Sequence, residues 1–498
     1  MLCYGTVSDL PEYSTRMHPV IIVENTFRTA IALLIILFIS TKSLDMPIIA
    51  AIVATALILL LLFYYRQWRL TFIHFGKTDI VVERKTLFKL KKTLPYSRIA
   101  SINLNRGILN RLSGTSKLMI NINSGYNAIV PEASLTFERH LADRIRDNVS
   151  DYIYRDEASP LEESTSTIHF TLTDVIFHGL FSVPTQQSII GGFFFIYSII
   201  QQYYSTVSDL ETNSGTAVIS MFLFFIFLAV PAIRHMIYYY GFKVHRHGET
   251  IYLEHGLIRT YKTSFKISRV NAITIKTTLF SRLLGRSCIE AEVVGIASSD
   301  SGGNTRPLIS LLANDRISQQ LLQELVPEFV YERQGEKQPI GAKNVLIIRG
   351  LIASAILISI MIYPSILAYN SFASNSDGLS TIFQYMLPIT TSLVLIGIAY
   401  STHISLKVRE LDIGKELFTF VNGLLDREIV IMNYDKVQMI HVNRGPISRQ
   451  FNVAKGKIFM LSSTGTNSIS SGLFSETSLE RIGDIIMERS ARTLGRYT

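Results

Sequence analysis

The stretch LPYSRIASINLNRGILNRLSG, residues 94–114, decides the fold, because the chain writes it three times. It returns as FKISRVNAITIKTTLFSRLLG at 265–285 and as IMNYDKVQMIHVNRGPISRQFN at 431–452. A basic residue opens each copy: Arg98, Arg269 and Lys436. A second follows thirteen positions later: Arg111, Arg282 and Arg449. The copies lie 171 and 167 residues apart, about a domain length, so the repeat is a tandem of domains and not a solenoid.

What stands between the copies is apolar. Only 17% of the 498 residues are charged, and the mean hydropathy is +0.28. Six apolar runs explain this, at 28–40, 47–65, 188–204, 215–233, 350–369 and 381–400. Most approach the roughly 17–25 residues a helix needs to cross a bilayer. They come in pairs, one pair before each copy. Six buried core helices would give the same runs, but the aromatics favour a membrane. Tyr64, Tyr65 and Trp68 close one run, Tyr203 and Tyr204 another, and Tyr238, Tyr239 and Tyr240 follow a third. Such side chains settle where one end is apolar and the other wet.

Lysine and arginine set the orientation. The loops inside the pairs, TKSLD, STVSDLETNSG and NSFASNSDGLS, carry almost no basic residues, whereas the segments between pairs are strongly basic. The positive-inside rule then puts those segments and both termini in the cytoplasm. No cleavable signal peptide is expected, since the first apolar run starts late and has no small-residue cleavage site. Cys3 and Cys288 fall on the cytoplasmic side and read as reduced thiols.

After each pair the apolar residues alternate, the period-two signal of half-buried strands. His247-Gly248-Glu249, His255-Gly256, Asp412-Ile413-Gly414 and Asn422-Gly423 supply turns between short β-rich runs. Past each motif come KLMINI, CIEAEVVG and KIFMLSS, read as one further strand. An amphipathic helix closes each copy, at 133–153, 314–329 and 475–494, with Ser475 placed to cap the last. Short strands closed by one helix suggest a small α+β barrel. Polar stretches at 155–170 and 331–344 read as linkers.

The motifs LPYSRIASI with LNRLSG, and FKISRVNAI with FSRLLG, resemble those of the bacterial pleckstrin-homology (PH) domain membrane proteins, in their three-unit, YdbT-like form. RMHP, at residues 16–19, resembles that family's opening. The third copy departs: Lys436 replaces Arg, the Pro is missing, and Asn452 stands where Gly is expected. The resemblance implies an α+β membrane protein: six transmembrane helices in three hairpins, each followed by a cytoplasmic PH-like split β-barrel with a C-terminal helix. The hairpins would span 19–65, 171–233 and 345–402, and the PH-like domains 66–155, 234–332 and 403–495. It further implies no catalytic residues, an envelope-related role, and a YdbS-like one-unit membrane protein as partner.

No P-loop, GxSxG, HExxH or paired CxxC is present, so neither catalytic residues, a metal nor a cofactor is expected. His245-x-His247, the one close histidine pair, reads as a solvated turn. Arg28 and Arg349 sit near span ends, where they can snorkel, and a transporter would need more polar groups at mid-depth than Thr390, Thr391 and Ser392. The strongest signal is charge. Residues 66–122 hold twelve Lys or Arg against two acids, 234–295 ten against four, and 404–462 nine against six. That excess enforces topology, and it can also draw the units to anionic lipid of the inner leaflet. Without an array of stacking aromatics, nucleic acid is not an expected partner. The candidate lipid- or partner-binding residues are Lys89, Lys91, Lys92, Arg98, Arg111, Lys266, Arg269 and Arg282. The opening basic residues either face a ligand or lie over the barrel rim and bond a carbonyl. The expected function is a non-enzymatic scaffold of the bacterial plasma membrane that binds protein partners or membrane lipids. A lipid or small-molecule transporter is the rival, and a membrane enzyme comes third.

Overall fold

The computed structural model describes residues 13–40, 46–86, 89–122, 131–154, 167–207, 214–294, 296, 306–374, 378–462 and 465–494. Cys3, Asp209, Ser376 and most of the loops inside the hairpins lie outside them.

One order of elements recurs along the chain. Strand β1 (Tyr13–Thr15) leads into helices α1 (Val20–Ser40) and α2 (Met46–Arg69). Then come β2 (Thr71–Phe75), β3 (Asp79–Lys85), β4 (Lys89–Pro95), a 3-10 turn (Tyr96–Arg98) and β5 (Ile99–Arg106). Short helix α3 (Ile108–Leu112), β6 (Thr115–Ile122), β7 (Ala133–Glu138) and α4 (Arg139–Tyr154) complete this first unit.

The second unit opens with β8 (Ile168–His169), α5 (Leu172–Phe181) and α6 (Thr185–Val207). Helices α7 (Ser214–Phe224) and α8 (Val230–Tyr238) are joined by a π-turn. Strands β9 (Lys243–His247), β10 (Thr250–His255) and β11 (Thr260–Lys266), a 3-10 turn (Ile267–Arg269) and β12 (Val270–Thr277) follow. After them come α9 (Leu279–Leu283), β13 (Arg286–Val293), β14 (Leu308–Asn314) and α10 (Asp315–Leu325).

The third unit repeats the order: β15 (Glu336–Lys337), α11 (Ile340–Ser374), α12 (Gly378–Val408), β16 (Glu410–Ile413), β17 (Leu417–Gly423) and β18 (Arg427–Asn433). A 3-10 turn (Tyr434–Lys436), β19 (Val437–Asn443), α13 (Pro446–Gln450), β20 (Val453–Ser462), β21 (Gly465–Ser475) and α14 (Glu476–Leu494) end it.

The repeated motif now has a physical meaning. Its first half ends one sheet and starts another across a 3-10 turn. The residue two before the basic one is the anchor of that turn: Tyr96, Ile267 and Tyr434 are all buried. Tyr96 and Tyr434 each donate to a glycine carbonyl twenty residues upstream, Gly76 at 3.1 Å and Gly414 at 3.2 Å. The pairing of the next strand is then bulged at the same place in all three units, after Ile99, Val270 and Val437. A bulge bends the strand and increases its twist, which separates the two sheets. The motif's second half is the short helix, ended by a residue at positive φ: Gly114 at 66°, Gly285 at 60° and Asn452 at 52°. A left-handed residue after the last turn is a common helix stop.

Each core lies between two sheets under the closing helix. In the first unit Ile73, Ile80 and Leu94 of one sheet meet Ile102, Leu118 and Phe137 of the other, with Ala142, Ile145 and Val149 of α4 above them. Truncating such a side chain to Ala costs about 2–5 kcal/mol.

Several sequence expectations need correction. The helix expected over 133–153 is two elements, since Ala133–Glu138 is strand β7 and Leu135 belongs to the sheet core. The polar stretches are not only linkers, because Ile168–His169 and Glu336–Lys337 each add a strand to the sheet of the unit that follows. The third apolar run makes up most of α6, and α5 before it makes an 80° bend with α6. Helix α5 lies on the second unit: Arg286 pairs with Asp174 at 3.4 Å and stacks over Phe177. Among the described residues four helices are long and apolar enough to cross a membrane: Pro47–Arg69, Val218–Tyr238, Ile340–Leu367 and Thr391–Val408. The bent pair is a fifth if taken as one span.

The largest departure concerns the unit boundaries. The sheets do not stop there. One four-stranded sheet runs β1-β2-β3-β4, and one three-stranded sheet runs β19-β20-β21. Between them lie two seven-stranded sheets, β7-β6-β5-β11-β10-β9-β8 and β14-β13-β12-β18-β17-β16-β15. The second sheet of each unit therefore continues into the first sheet of the next.

Candidate functional site

The basic residues singled out by the repeat converge on these two joints. In the first, β5 pairs antiparallel with β11, with Tyr261 opposite Asn105. Arg269 Nη2 donates to the Ile99 carbonyl at one end, at 3.2 Å, and Arg111 Nη2 donates to Thr260 Oγ1 at the other. In the second joint, β12 pairs with β18 over six residue pairs from Ala272↔Met432 to Thr277↔Arg427. Lys436 Nζ donates to the Ser268 carbonyl at 2.7 Å, and Arg282 Nη2 to the Leu425 carbonyl at 3.4 Å. Each joint is thus a strand pair held at both ends by a cation, one reaching back and one reaching forward. Bonds from charged donors are worth about 1.5–3 kcal/mol each, although exposure at the forward end reduces that.

The second joint also holds an ionic cluster, half-buried apart from the fully buried Glu292. Lys276 lies 3.7 Å from Glu428 across the strand pair. Arg306 lies 2.6 Å from Glu292 and 3.8 Å from Glu290. Burial raises the pKa of the Glu290 carboxyl, against the pull of Lys276 and Arg306. Burial works against the Lys276 ammonium, but Glu290 and Glu428 outweigh it and leave its pKa raised. The base of the second hairpin is tied to the same joint. The Thr185 amide donates to Asp426 Oδ2 at 3.1 Å, its hydroxyl to Oδ1, and Thr278 Oγ1 donates to the Phe181 carbonyl at 2.6 Å. The bend between α5 and α6 is therefore fixed by a unit on either side.

The remaining candidates are dispersed. Lys89 and Lys91 are exposed on β4, at the end of its sheet. Lys92 is not free, since it pairs with the Glu132 carboxylate and donates to the Glu132 carbonyl at 2.8 Å. Lys266 ends β11, half-buried beside the first joint. Arg98 is exposed, and its side chain makes no hydrogen bond or ion pair among the described residues. Arg349 Nη2 donates to Ser448 Oγ of α13 at 3.1 Å. His245 stacks on Tyr252, and no group of three potential metal ligands occurs among the described residues. Cys288 is a buried free thiol whose pKa burial raises. A cavity of about 430 Å³ opens near the second joint, lined among others by Ile275, Ser287, Tyr331, Arg427 and Ile431.

Lys436 and Arg449 belong to the repeat yet are absent from the eight candidates, because the departures of the third motif argued against a shared role there. The signal was the thirteen-residue spacing, which the third copy keeps.

The bacterial PH domain family model matches residues 27–153 and 189–325, which together make up more than half of the chain. No curated protein and no solved structure matches it. Both matched segments run from the apolar helices through the two sheets to the closing helix, and the chain belongs to the bacterial PH domain family.

Proposed function

We propose that the protein is a non-enzymatic scaffold of the bacterial plasma membrane: six spans in three hairpins carry a row of three PH-like units on the cytoplasmic face. The row holds protein partners against the anionic inner leaflet, in a YdbT-like envelope role. The observation that carries this reading is the sheet continuity across both unit boundaries. Alternating access requires one bundle to rock against another. Units joined by paired strands, with a hairpin base tied to two of them, resist such rocking. A platform of fixed shape gains from the same stiffness. The basic excess of the first unit, twelve Lys or Arg against two acids over residues 66–122, supplies the charge that faces anionic lipid, at about 1 kcal/mol for each residue near the surface.

Two measurements test the reading. Reporter fusions at Asp209 and Ser376 are expected to report the outside, and fusions at Glu157 and Glu336 the cytoplasm. A cytoplasmic signal at Asp209 would remove the three-hairpin topology. For function, an Asn105→Cys/Tyr261→Cys disulfide would lock the first joint, whose strands already place these residues opposite each other. A scaffold retains its co-isolated partners when locked and moves no fluorescent phospholipid across proteoliposomes. Lipid transfer that stops on locking would favour the transporter.

A further inference from the structure

The two joints share one register. The residue nine before a unit's opening basic residue lies opposite the residue eight after its predecessor's: Thr260↔Arg106 in one joint and Arg427↔Thr277 in the other. Both use the same two clamps, a backward cation from the 3-10 turn (Arg269, Lys436) and a forward arginine from the short helix (Arg111, Arg282). A chain of three units has two such joints and one unused half at each end. At the first unit the unused half is the β4 edge with Arg98. At the third it is the β19 edge with Arg449.

Among the described residues, both halves are intact and pair with no further strand. Strands β4 and β19 end their sheets. Arg98 and Arg449 are exposed, and neither makes a side-chain hydrogen bond or ion pair among the described residues. The position that is 1% exposed as Ser101 in β5 and 0% as Ala272 in β12 is Met439 in β19, 53% exposed. The contrast measures what a neighbour covers. An open strand edge is a template for another strand. Lysines on β4 discourage random pairing, but a lysine is compatible with this joint, since Lys262 lies opposite Leu104 within one.

We propose that a second copy of this chain fills the joint, the β19 edge and Arg449 of one copy docking on the β4 edge and Arg98 of the next. The two free ends are the donor and acceptor halves of an interface the chain already makes twice, and that continuity selects a second copy over an unrelated protein. The shared register sets Leu90 opposite Asn443 and Lys91 opposite Val442. Lys89 then faces Arg444, whose charge is already paired with Glu476. Such a contact joins unlike surfaces, so it generates a ring if the rotation closes and an open row if it does not. The proposal rests on the scaffold reading in one respect: all three units must face the same side of the membrane.

The test is cysteine pairing in the full chain, in native membranes. The Leu90→Cys/Asn443→Cys protein is expected to give a ladder of disulfide-linked dimers, trimers and larger species on mild oxidation. Membranes holding one copy with only Leu90→Cys and another with only Asn443→Cys should stop at the dimer. Asn105→Cys/Tyr261→Cys, which crosslinks within one copy, reports that the fold is intact. Adding Arg98→Ala alone should lower the ladder yield about tenfold, the equivalent of one lost charged bond. Absence of the ladder while the internal pair still forms would overturn self-pairing. So would crosslinking of Leu90→Cys to a different protein, or a ladder present with zwitterionic lipid and abolished by anionic lipid, which would assign the β4 edge to the leaflet. Retained partners with no ladder would sink this proposal and leave the scaffold standing, whereas wrong-sided fusions would sink the scaffold.

Discussion

Position 452 shows how much a single residue can hide. Glycine stands at 114 and 285 because the chain there has positive φ, and Asn452 adopts the same conformation at 52°. Asparagine is among the few residues with a side chain that visit this region routinely. What reads as a broken motif is therefore a conservative replacement. Asn452→Ala is expected to lower stability by about 1–2 kcal/mol, and Asn452→Gly to leave it near neutral, by thermal unfolding of the solubilised protein; equal losses would mean the strain argument is wrong. His255 gives a second test. It is buried among Tyr238, Phe242 and Tyr261, with Nδ1 donating to the Tyr238 carbonyl at 2.8 Å. Burial holds its pKa down to about 4, against 6.5 for the free side chain. The unfolded chain binds the proton first, so stability is full above pH 6.5 and falls toward pH 4, by about 3 kcal/mol in all. His255→Gln should reduce the slope of stability against pH in that window by one proton, and an unchanged slope would exclude His255 as its source.

Strand existence was legible from alternation, but strand neighbours were not. The strand β5 reads IASINLNR, and alternation assigns Ser101, Asn103 and Asn105 to solvent, yet all three are buried. An edge strand and a strand continued by a neighbouring unit have the same period, so nothing local distinguishes them. The same limit hid β7: ASLTFE was merged with the helix that follows it because its six residues are short beside the helical stripe. The basic residues were legible as a pattern and not as a role. Their spacing carries the joint, while their bonds depend on residues about 170 positions away. At this scale the clamps are separable. Arg269→Ala should raise hydrogen exchange in β5 and β11 by about 1–2 kcal/mol of local opening and leave β12 and β18 unchanged; Lys436→Met should do the reverse. Uniform loosening of both joints by either change would show that the units do not open one at a time.

Across the whole molecule, family membership and the basic, apolar rhythm were readable, but the joining of units into continuous sheets needed coordinates. One arrangement has a consequence for how such a chain is made. Strand β1 pairs with β2, β8 with β9 and β15 with β16, so the chain leaves and re-enters each first sheet at adjacent strands, with a hairpin between. Adjacent strands lie about 4.8 Å apart. Closing a free loop of about 55–75 residues to that distance costs about 3.5–3.8 kcal/mol of chain entropy plus a constant. A hairpin inserted in a bilayer has already returned to the surface it left, with its two ends side by side. On the topology proposed above, insertion supplies the closure that a free chain would have to find, and the bilayer acts as a template for the sheet beneath it. Amides of Tyr13–Thr15 should be protected from exchange in lipid nanodiscs and lose that protection first as detergent loosens the helix pair. Protection that outlasts the hairpin would mean that the sheet, and not the membrane, brings those ends together.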